Sequence, residues 1–440
     1  MNAKRTLRWV FVLFLLATLP GLTAVMAQGQ EPAGKAPLPA VMETGESAAP
    51  ETYNVYESES NNTAATADVM NVGDVMGGKI GSVGDKDIFR FRSNAPVDYF
   101  HVLIDIEAQS IGSSLDPVVC LYYGGEGGLG YELGCNDDTD TADSLVFSAS
   151  VASHIDYFVV VTDYDNNSGG NDHPYELILS SPLLISAHAA NLGTGNVAGI
   201  PFQAPDILAW SDLNTGDEKW LMFFDASDVG ITKNLWNVAA YDDGLGGLLI
   251  GFASNQYLPS IGGNATPFDM IEFIPEVYGP TTIGTFQVFR RGSATGLTTS
   301  GEKLDALDGY AEWGDTCLGY PVSTVGAAVV FTWQNALLRA ADEDLFCTNE
   351  YLGGHPWNSF FDGSRVTGLA TEDIIAMSAW AYTPNIYLTI LGNGRILGHP
   401  VTQKDIFRIN FPAYTWGGIA WHGPDHGWNY NIDAIEYPGQ

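Results

Sequence analysis

From residue 53 onward the chain alternates apolar and polar positions over short runs, and turns rich in Gly, Asn and Asp separate the runs. Asp87-Ile88-Phe89-Arg90-Phe91 has this period of two, as does the segment from Tyr99 to Ile106. Val118–Tyr123, Ser144–Phe147, Tyr157–Val161 and Tyr175–Leu179 are compact apolar runs of strand length. A period of two turns one face of each strand toward a core. Short strands at this spacing predict an antiparallel sandwich over 53–181. Strong helical periodicity is absent after residue 27, so the expected fold class is all-β.

Residues 182–440 repeat two patterns. One is an aromatic followed by a polar turn: Phe224-Asp225-Ala226-Ser227, Phe289-Arg290-Arg291-Gly292, Phe361-Asp362-Gly363-Ser364 and Trp421-His422-Gly423-Pro424. The other is an aspartate before apolar residues: Asp206-Ile207-Leu208, Asp269-Met270-Ile271, Asp344-Leu345-Phe346 and Asp405-Ile406-Phe407. Each unit reads as four strands, in the best-formed one Trp220–Phe224, Trp236–Tyr241, Leu248–Phe252 and Phe268–Ile274. The array opens with the second half of a unit and closes with the first half. The last unit stops after Ile432-Asp433-Ala434-Ile435, and Leu183–Ser186 and Asp206–Trp210 look like its missing strands. A linear stack has no reason to be cut in this way, whereas a ring is completed by pairing its two ends. The expectation is a four-bladed β-propeller closed by strands from both ends of the repeat region, with two stacked sandwiches as the alternative.

Within 53–181, Tyr56-Glu57-Ser58-Glu59-Ser60-Asn61-Asn62-Thr63 precedes a small-residue stretch. Gly81-Ser82-Val83-Gly84-Asp85-Lys86-Asp87-Ile88-Phe89-Arg90-Phe91, Leu115-Asp116-Pro117, Asn136-Asp137-Asp138 and Tyr175-Glu176-Leu177 follow in order. This series resembles the bacterial pre-peptidase C-terminal domain, a jelly-roll-like sandwich found on secreted proteins. The resemblance implies a non-catalytic accessory module that often accompanies peptidases; some members bind calcium or extracellular polymers such as collagen. No family is named for 182–440.

Residues 1–27 read as a secretory signal, with Lys4, Arg5 and Arg8 ahead of the apolar run Trp9–Leu19 and a small-residue end at Val25-Met26-Ala27. Residues 28–52, rich in Ala, Pro, Gly, Glu and Ser, read as a disordered linker. Secretion, or display at the cell surface, is the expected location, with no membrane insertion after signal removal. The chain carries 52 Asp and Glu against 18 Lys and Arg, a net charge of −34, and loss of the three basic signal residues deepens it further. Nucleic acid and anionic membranes are poor partners for such a surface. Cys120 and Cys135 flank a glycine-rich turn, and Cys317 and Cys347 fall within one repeat unit, so the expected disulfides are Cys120–Cys135 and Cys317–Cys347.

Glu57, Glu59 and Asn61 alternate along an extended segment, and Asp85 and Asp87 share a side, so the five could supply a shell of hard oxygen ligands. Calcium is the cofactor expected there, and in calcium-binding relatives the cation site uses this same lead-in segment and a following acidic turn. Asn136–Asp140 and Asp163–Asn167 look like calcium loops but lack the EF-hand pattern and read as Asx-rich turns. His422-Gly423-Pro424-Asp425-His426 has the residue types of a transition-metal site, yet the same turn carries Arg290 and Arg365 in other units and reads as a repeat turn. Four equivalent turns on one face would place Asp225, Asp228, Arg290, Arg365, His422 and Asp425 around a mouth suited to a polar ligand. Tryptophans 210, 236, 313, 333, 357, 380, 416 and 421 either fill gaps between blades or bind sugars.

HExxH, GxSxG and GxxxxGK[ST] signatures are absent. The reading is a secreted, non-catalytic binding or adhesion protein that recognises an extracellular polysaccharide or matrix protein. The alternatives are a hydrolase with its site in the propeller mouth and a structural spacer of a surface or matrix assembly. An inward-facing carboxylate pair in the mouth favours the hydrolase. A mouth plugged by apolar side chains favours the spacer.

Overall fold

The computed structural model describes residues 53–438 except 93–98, 126–127, 139–142, 189–193, 242–245, 298–301, 314–316, 326–328, 334–335, 349–356 and 380–384, and omits the side chains of 99, 149–150, 308–340 and 348. The expected signal peptide and linker, and tryptophan 380, lie outside the described residues, as do the side chains of tryptophans 313 and 333. The described chain is all-β, with short 3-10 turns and no α-helix. No described helix is long and apolar enough to cross a membrane.

Ten strands build the sandwich: β1 (Val55–Tyr56), β2 (Asp68–Met70), β3 (Val75–Lys79), β4 (Lys86–Arg92), β5 (Tyr99–Glu107), β6 (Pro117–Gly125), β7 (Gly128–Asn136), β8 (Ser144–Ala152), β9 (Asp156–Asp163) and β10 (Pro174–Ser180). One sheet runs β1-β3-β10-β5-β8 and the other β2-β4-β9-β6-β7. Alternation drives them together: Phe89, Phe91, Val159 and Val161 of one sheet bury against Val102, Ile104, Leu177 and Leu179 of the other. The short β1 and β2 pair in parallel with β3 and β4. The segment between them therefore passes from one sheet to the other, which carries Glu57, Glu59 and Asn61 across the sandwich edge.

The rest of the chain forms four four-stranded sheets. The first repeat holds β11 (Leu183–Ala187), the hairpin β12 (Gly195–Val197) and β13 (Ile200–Phe202), β14 (Ile207–Asp212) and β15 (Glu218–Phe224). The second holds β16 (Leu235–Tyr241), β17 (Gly247–Phe252), the hairpin β18 (Gln256–Leu258) and β19 (Gly263–Ala265), β20 (Met270–Val277) and β21 (Ile283–Arg290). The third holds β22 (Leu304–Trp313), β23 (Cys317–Val325), the hairpin β24 (Val329–Trp333) and β25 (Ala336–Ala340), β26 (Leu345–Thr348) and β27 (Trp357–Phe361). The fourth holds β28 (Ile374–Ser378), β29 (Asn385–Ile390), the hairpin β30 (Asn393–Ile396) and β31 (His399–Thr402), β32 (Asp405–Asn410) and β33 (Thr415–His422), before the last strand, β34 (Ile432–Glu436).

The sheet orders are β34-β11-β14-β15, β16-β17-β20-β21, β22-β23-β26-β27 and β28-β29-β32-β33. The last strand pairs antiparallel with the first, with Leu184 opposite Glu436, Ile185 opposite Ile435 and Ser186 opposite Ala434. No sheet closes on itself among the described residues. The leading strands touch in cyclic order: β34 meets β16, β16 meets β22, β22 meets β28 and β28 meets β34. A separate apolar core fills each of the four junctions. The core between the fourth sheet and the first includes Ile185, Leu208 and Trp220 together with Ala376, Ile406 and Trp421.

Two expectations are corrected here. The sheet break falls between Phe224 and Leu235, so Trp220–Phe224 ends one sheet and does not begin the next. The composite sheet accordingly takes three strands from the start of the repeats and one from the end, not half from each. Each unit also carries an extra hairpin between its second and third strands. Sequence similarity fixes a period but not its phase, because the turn after the outer strand leads away to a new sheet instead of folding back as a hairpin.

The repeated aspartate has a structural role. Its Oδ2 accepts the N–H three residues back, as Asp206 does from Gln203 (2.6 Å), Asp269 from Thr266 (2.9 Å), Asp344 from Ala341 (3.1 Å) and Asp405 from Thr402 (2.7 Å). Its Oδ1 accepts from the turn after the outer strand: Ala226 N–H (3.0 Å), Gly292 N–H (2.9 Å) and Gly363 N–H (2.9 Å). This clamp explains why the two sequence patterns recur together. Glycine is required where the turn passes close, since a Cβ on Gly363 would lie 2.1 Å from the Glu343 carbonyl oxygen. Replacing the buried Asp269 by alanine strands these N–H groups, and a loss of roughly 3 kcal/mol in denaturant unfolding is expected. A change under about 0.5 kcal/mol is what an ordinary surface site gives and would remove this role.

The sandwich and the repeats lie in one compact unit, Thr52–Gln440. Lys219 of β15 is buried between Asp105 (3.0 Å) and Glu107 of β5. Burial opposes its charge, but the two carboxylates prevail and hold its proton more tightly than usual. Phe147 of β8 packs on Phe223 and Tyr278, at centroid distances of 4.9 and 5.5 Å.

Candidate functional site

The lead-in segment and the turn before β4 assemble a pocket of oxygen atoms. One carboxylate oxygen each from Glu59, Asp85 and Asp87 lie within 4.8 Å of one another. Asp85 is set by its own turn, accepting the N–H groups of Gly81 (2.8 Å) and Lys86 (3.1 Å). Asp87 is fully buried on β4, and the Tyr175 hydroxyl lies 2.6 Å from its Oδ2 and 3.3 Å from Oε2 of Glu57. One hydroxyl proton cannot serve both. Asp87 Oδ1 and Asn61 Oδ1 are buried with no hydrogen-bond partner. Burial, with the charges of Glu57 and Asp85, pushes Asp87 up to about 9. Burial likewise raises Glu57, helped by Glu59, and raises Glu59, helped by Asp85 and Asp68.

Such a site is rich in acceptors and short of donors, which is the environment a hard cation satisfies. Of the five residues chosen from sequence, Glu59, Asp85 and Asp87 gather here, Glu57 shares the Tyr175 hydroxyl with Asp87, and the Asn61 amide faces Asp68. Asp68 was missed: its carboxylate accepts the N–H (2.7 Å) and hydroxyl (2.6 Å) of Ser58 and faces the Asn61 amide (3.3 Å), which fixes the segment. Its only sequence signal is its place at the start of β2. Asp163 behaves as a turn residue, its carboxylate lying near the N–H groups of Asn167 (3.3 Å) and Ser168 (3.2 Å).

The residues expected around a mouth occupy several local environments. Asp225 accepts the N–H and hydroxyl of Ser227, while Asp228 accepts the N–H of Thr282. Arg290 lies over Phe289, and Arg365 over Tyr414 at 3.9 Å. His422 and Asp425 do come together, lining a cavity of about 630 Å³ with Asp405 and His426. In that fourth unit the Asp405 carboxylate meets the imidazole of His422 where the other units bind a turn N–H. His426 is held by Glu218 at 2.6 Å and stacks on Trp421.

A different set lines the cavity where the leading strands begin. Trp236, Asp305, Ile375 and Asp433 are each the second residue of their strands, β16, β22, β28 and β34. His188, Lys303, Asp373 and Leu391 complete a cavity of about 270 Å³. Burial, with Asp373 adding its charge, raises Asp305 to about 8; burial and Asp342 raise Asp373 to about 7. Burial and the charge of Asp305 raise Asp433 well above the usual range. The signal for this site was available as Leu235-Trp236, Leu304-Asp305, Ile374-Ile375 and Ile432-Asp433, but only the correct strand phase makes the four positions equivalent. Trp357, by contrast, is buried with its indole N–H on the Thr295 carbonyl oxygen (3.0 Å).

Cys120 and Cys135 face each other across β6 and β7 and are bonded, with Cα atoms 4.1 Å apart. Cys347 is also disulfide-bonded, and the side chain of Cys317 lies outside the described residues. Peptide mapping without reduction is expected to recover Cys317–Cys347 beside Cys120–Cys135, and a crossed pair would break the assignment.

No protein-family model matches the chain, and no curated protein matches it. Among solved structures, the pre-peptidase C-terminal domain of collagenase from Bacillus anthracis matches 26% of this chain over 94% of its own length, at 14% identity and a TM-score of 0.21.

Proposed function

We propose that this is a secreted, non-catalytic binding protein. In this reading the four sheets form a four-bladed propeller, and its mouth recognises an extracellular polysaccharide or matrix protein. Calcium, held by Glu57, Glu59, Asp85 and Asp87 with the Asn61 amide oxygen, stiffens the sandwich docked against it. The observation that carries the reading is the cavity at the start of the four leading strands, which is open and lined by an indole and charged groups. An apolar plug there would have favoured a spacer. The head-to-tail pairing of β11 with β34 supports the ring, and the disulfides suit an oxidising compartment.

The test is an array of glycans and matrix proteins probed with the mature chain and with Trp236→Ala. Binding that the substitution abolishes is the expected result; an array with no binder removes the reading. A hydrolase is the second reading, favoured by the inward carboxylates Asp305, Asp373 and Asp433. Release of reducing ends or peptides from a bound polymer would put it first.

A further inference from the structure

We infer that the axial cavity seats an organic cation, the free amino group of a hexosamine unit. The inference rests on the polysaccharide reading above and narrows it to polymers that carry unacetylated amines.

The cavity sets three carboxylates, Asp305, Asp373 and Asp433, against one fixed cation, Lys303. His188 lies 4.0 Å from Asp433, and burial lowers its affinity for a proton. Asp433 is satisfied by the Asn234 amide. Asp305 is only 8% exposed and takes no hydrogen bond among the described residues, and the charge of Lys303 only partly offsets that of Asp373. Asp373 Oδ1 is likewise buried without a partner. Burial makes these groups hold their protons, and a ligand that brings N–H groups and positive charge would favour their ionised, accepting forms. The wall is suited to that ligand, since Lys303 already rests its ammonium over the Trp236 ring, 5.4 Å from the centroid.

A bare metal ion fits less well. Among the described residues, no three carboxylate or imidazole groups of this cavity gather within 4.8 Å, as those of the sandwich pocket do. Spread acceptors beside a flat indole suit a pyranose ring, which can displace the Lys303 ammonium from Trp236, lay its apolar face there and direct an amine and hydroxyls to the carboxylates. The net charge of −34 draws any polycation toward the surface, so specificity has to be read at the cavity itself.

The test is calorimetric titration of the mature chain with three probes: glucosamine oligomers, their N-acetylated counterparts, and lysine oligomers of matched charge. Glucosamine oligomers are expected to bind, and N-acetylation to weaken binding at least about tenfold. Asp305→Asn is expected to weaken it similarly, whereas Asp212→Asn, an exposed strand-end change, should not. Asp305→Asn removes an unpaired buried carboxylate, so its melting temperature should not fall, which separates lost binding from lost fold. Equal affinity for acetylated oligomers overturns the inference. So does an unchanged Asp305→Asn, or lysine oligomers that bind as tightly as glucosamine oligomers. A neutral or acidic polysaccharide whose binding needs Trp236 but not Asp305 would sink the inference and leave the polysaccharide reading standing. No polysaccharide binding at all would remove both.

Discussion

Deleting residues 432–440 is expected to unfold the whole repeat region and not merely fray its end. Every residue of β34 is buried, and the strand packs chiefly on β11 in its own sheet and on β16 and β28 as neighbouring leading strands. Removing it exposes β11 along its length and opens the core that holds Trp220, Trp421 and Trp428. Ile432 and Ile435 alone are worth about 2–5 kcal/mol each when truncated to alanine in a tight core. Their joint loss, with the ladder, approaches the 5–15 kcal/mol that typically holds a domain together. Hydrogen exchange should show protection falling across all four sheets. Protection lost only in β11 would mean the sheets stand independently. A matched pair of point variants sharpens the test. Ile435→Ala should cost several kcal/mol, whereas Ile419→Ala, 42% exposed on the outer strand β33, should cost about 0.5 kcal/mol or less.

Calcium is expected to stabilise the sandwich, and by more as the pH rises. The sign follows from Asp87, whose carboxyl sits at about 9 when folded against an ordinary value of 3.8. Between these values the folded chain keeps a proton that the unfolded chain has lost. Without metal, this contribution is therefore full below about pH 4 and is lost as pH climbs through about 9. A bound cation reverses the balance, because it stabilises the ionised cluster that burial disfavours. At free calcium near 100 times its dissociation constant the gain is about 2.7 kcal/mol. Asp305, Asp373 and Asp206 are raised too and add their own alkaline loss. The informative comparison is therefore wild type against Asp87→Asn. The variant should show a flatter pH profile and no gain from calcium. Melting curves that coincide in calcium and in chelator, from pH 5 to 9, would discard the metal site.

Much of the fold was legible because strand faces obey a local rule. The alternation in Asp87–Phe91 and the apolar run Tyr157–Val161 marked β4 and β9, and the paired patterns around Asp206 and Phe224 marked the repeat. Part of the acidic pocket was legible for the same reason, since the alternation of acidic residues pointed to Glu59, Asp85 and Asp87, which do gather. The extra hairpins were not read as strands; Gly195–Val197 and Asn393–Ile396 are short and largely polar, whereas Val329–Trp333 is apolar and simply went unassigned. Each of the two polar hairpins still anchors itself by a pair of buried side chains, Val197 with Phe202 and Ile396 with Val401. The aspartate pattern was visible, but its role as a clamp was not. It needs the N–H groups of Ala226, Gly292 and Gly363, which lie about 20 residues away along the chain.

By itself the sequence determined that the chain is all-β, that its second part repeats four times and that head and tail are complementary, since these follow from side-chain period and self-similarity. Only the tertiary structure decided where each sheet breaks and which residues share an enclosed space. Trp236, Asp305, Ile375 and Asp433 are separated by 58 to 70 residues and become neighbours because the leading strands meet. The neighbours that enclose Asp305 and crowd Asp87 are likewise set by chain crossings, and burial with too few donors is a property of the enclosure, not of any segment.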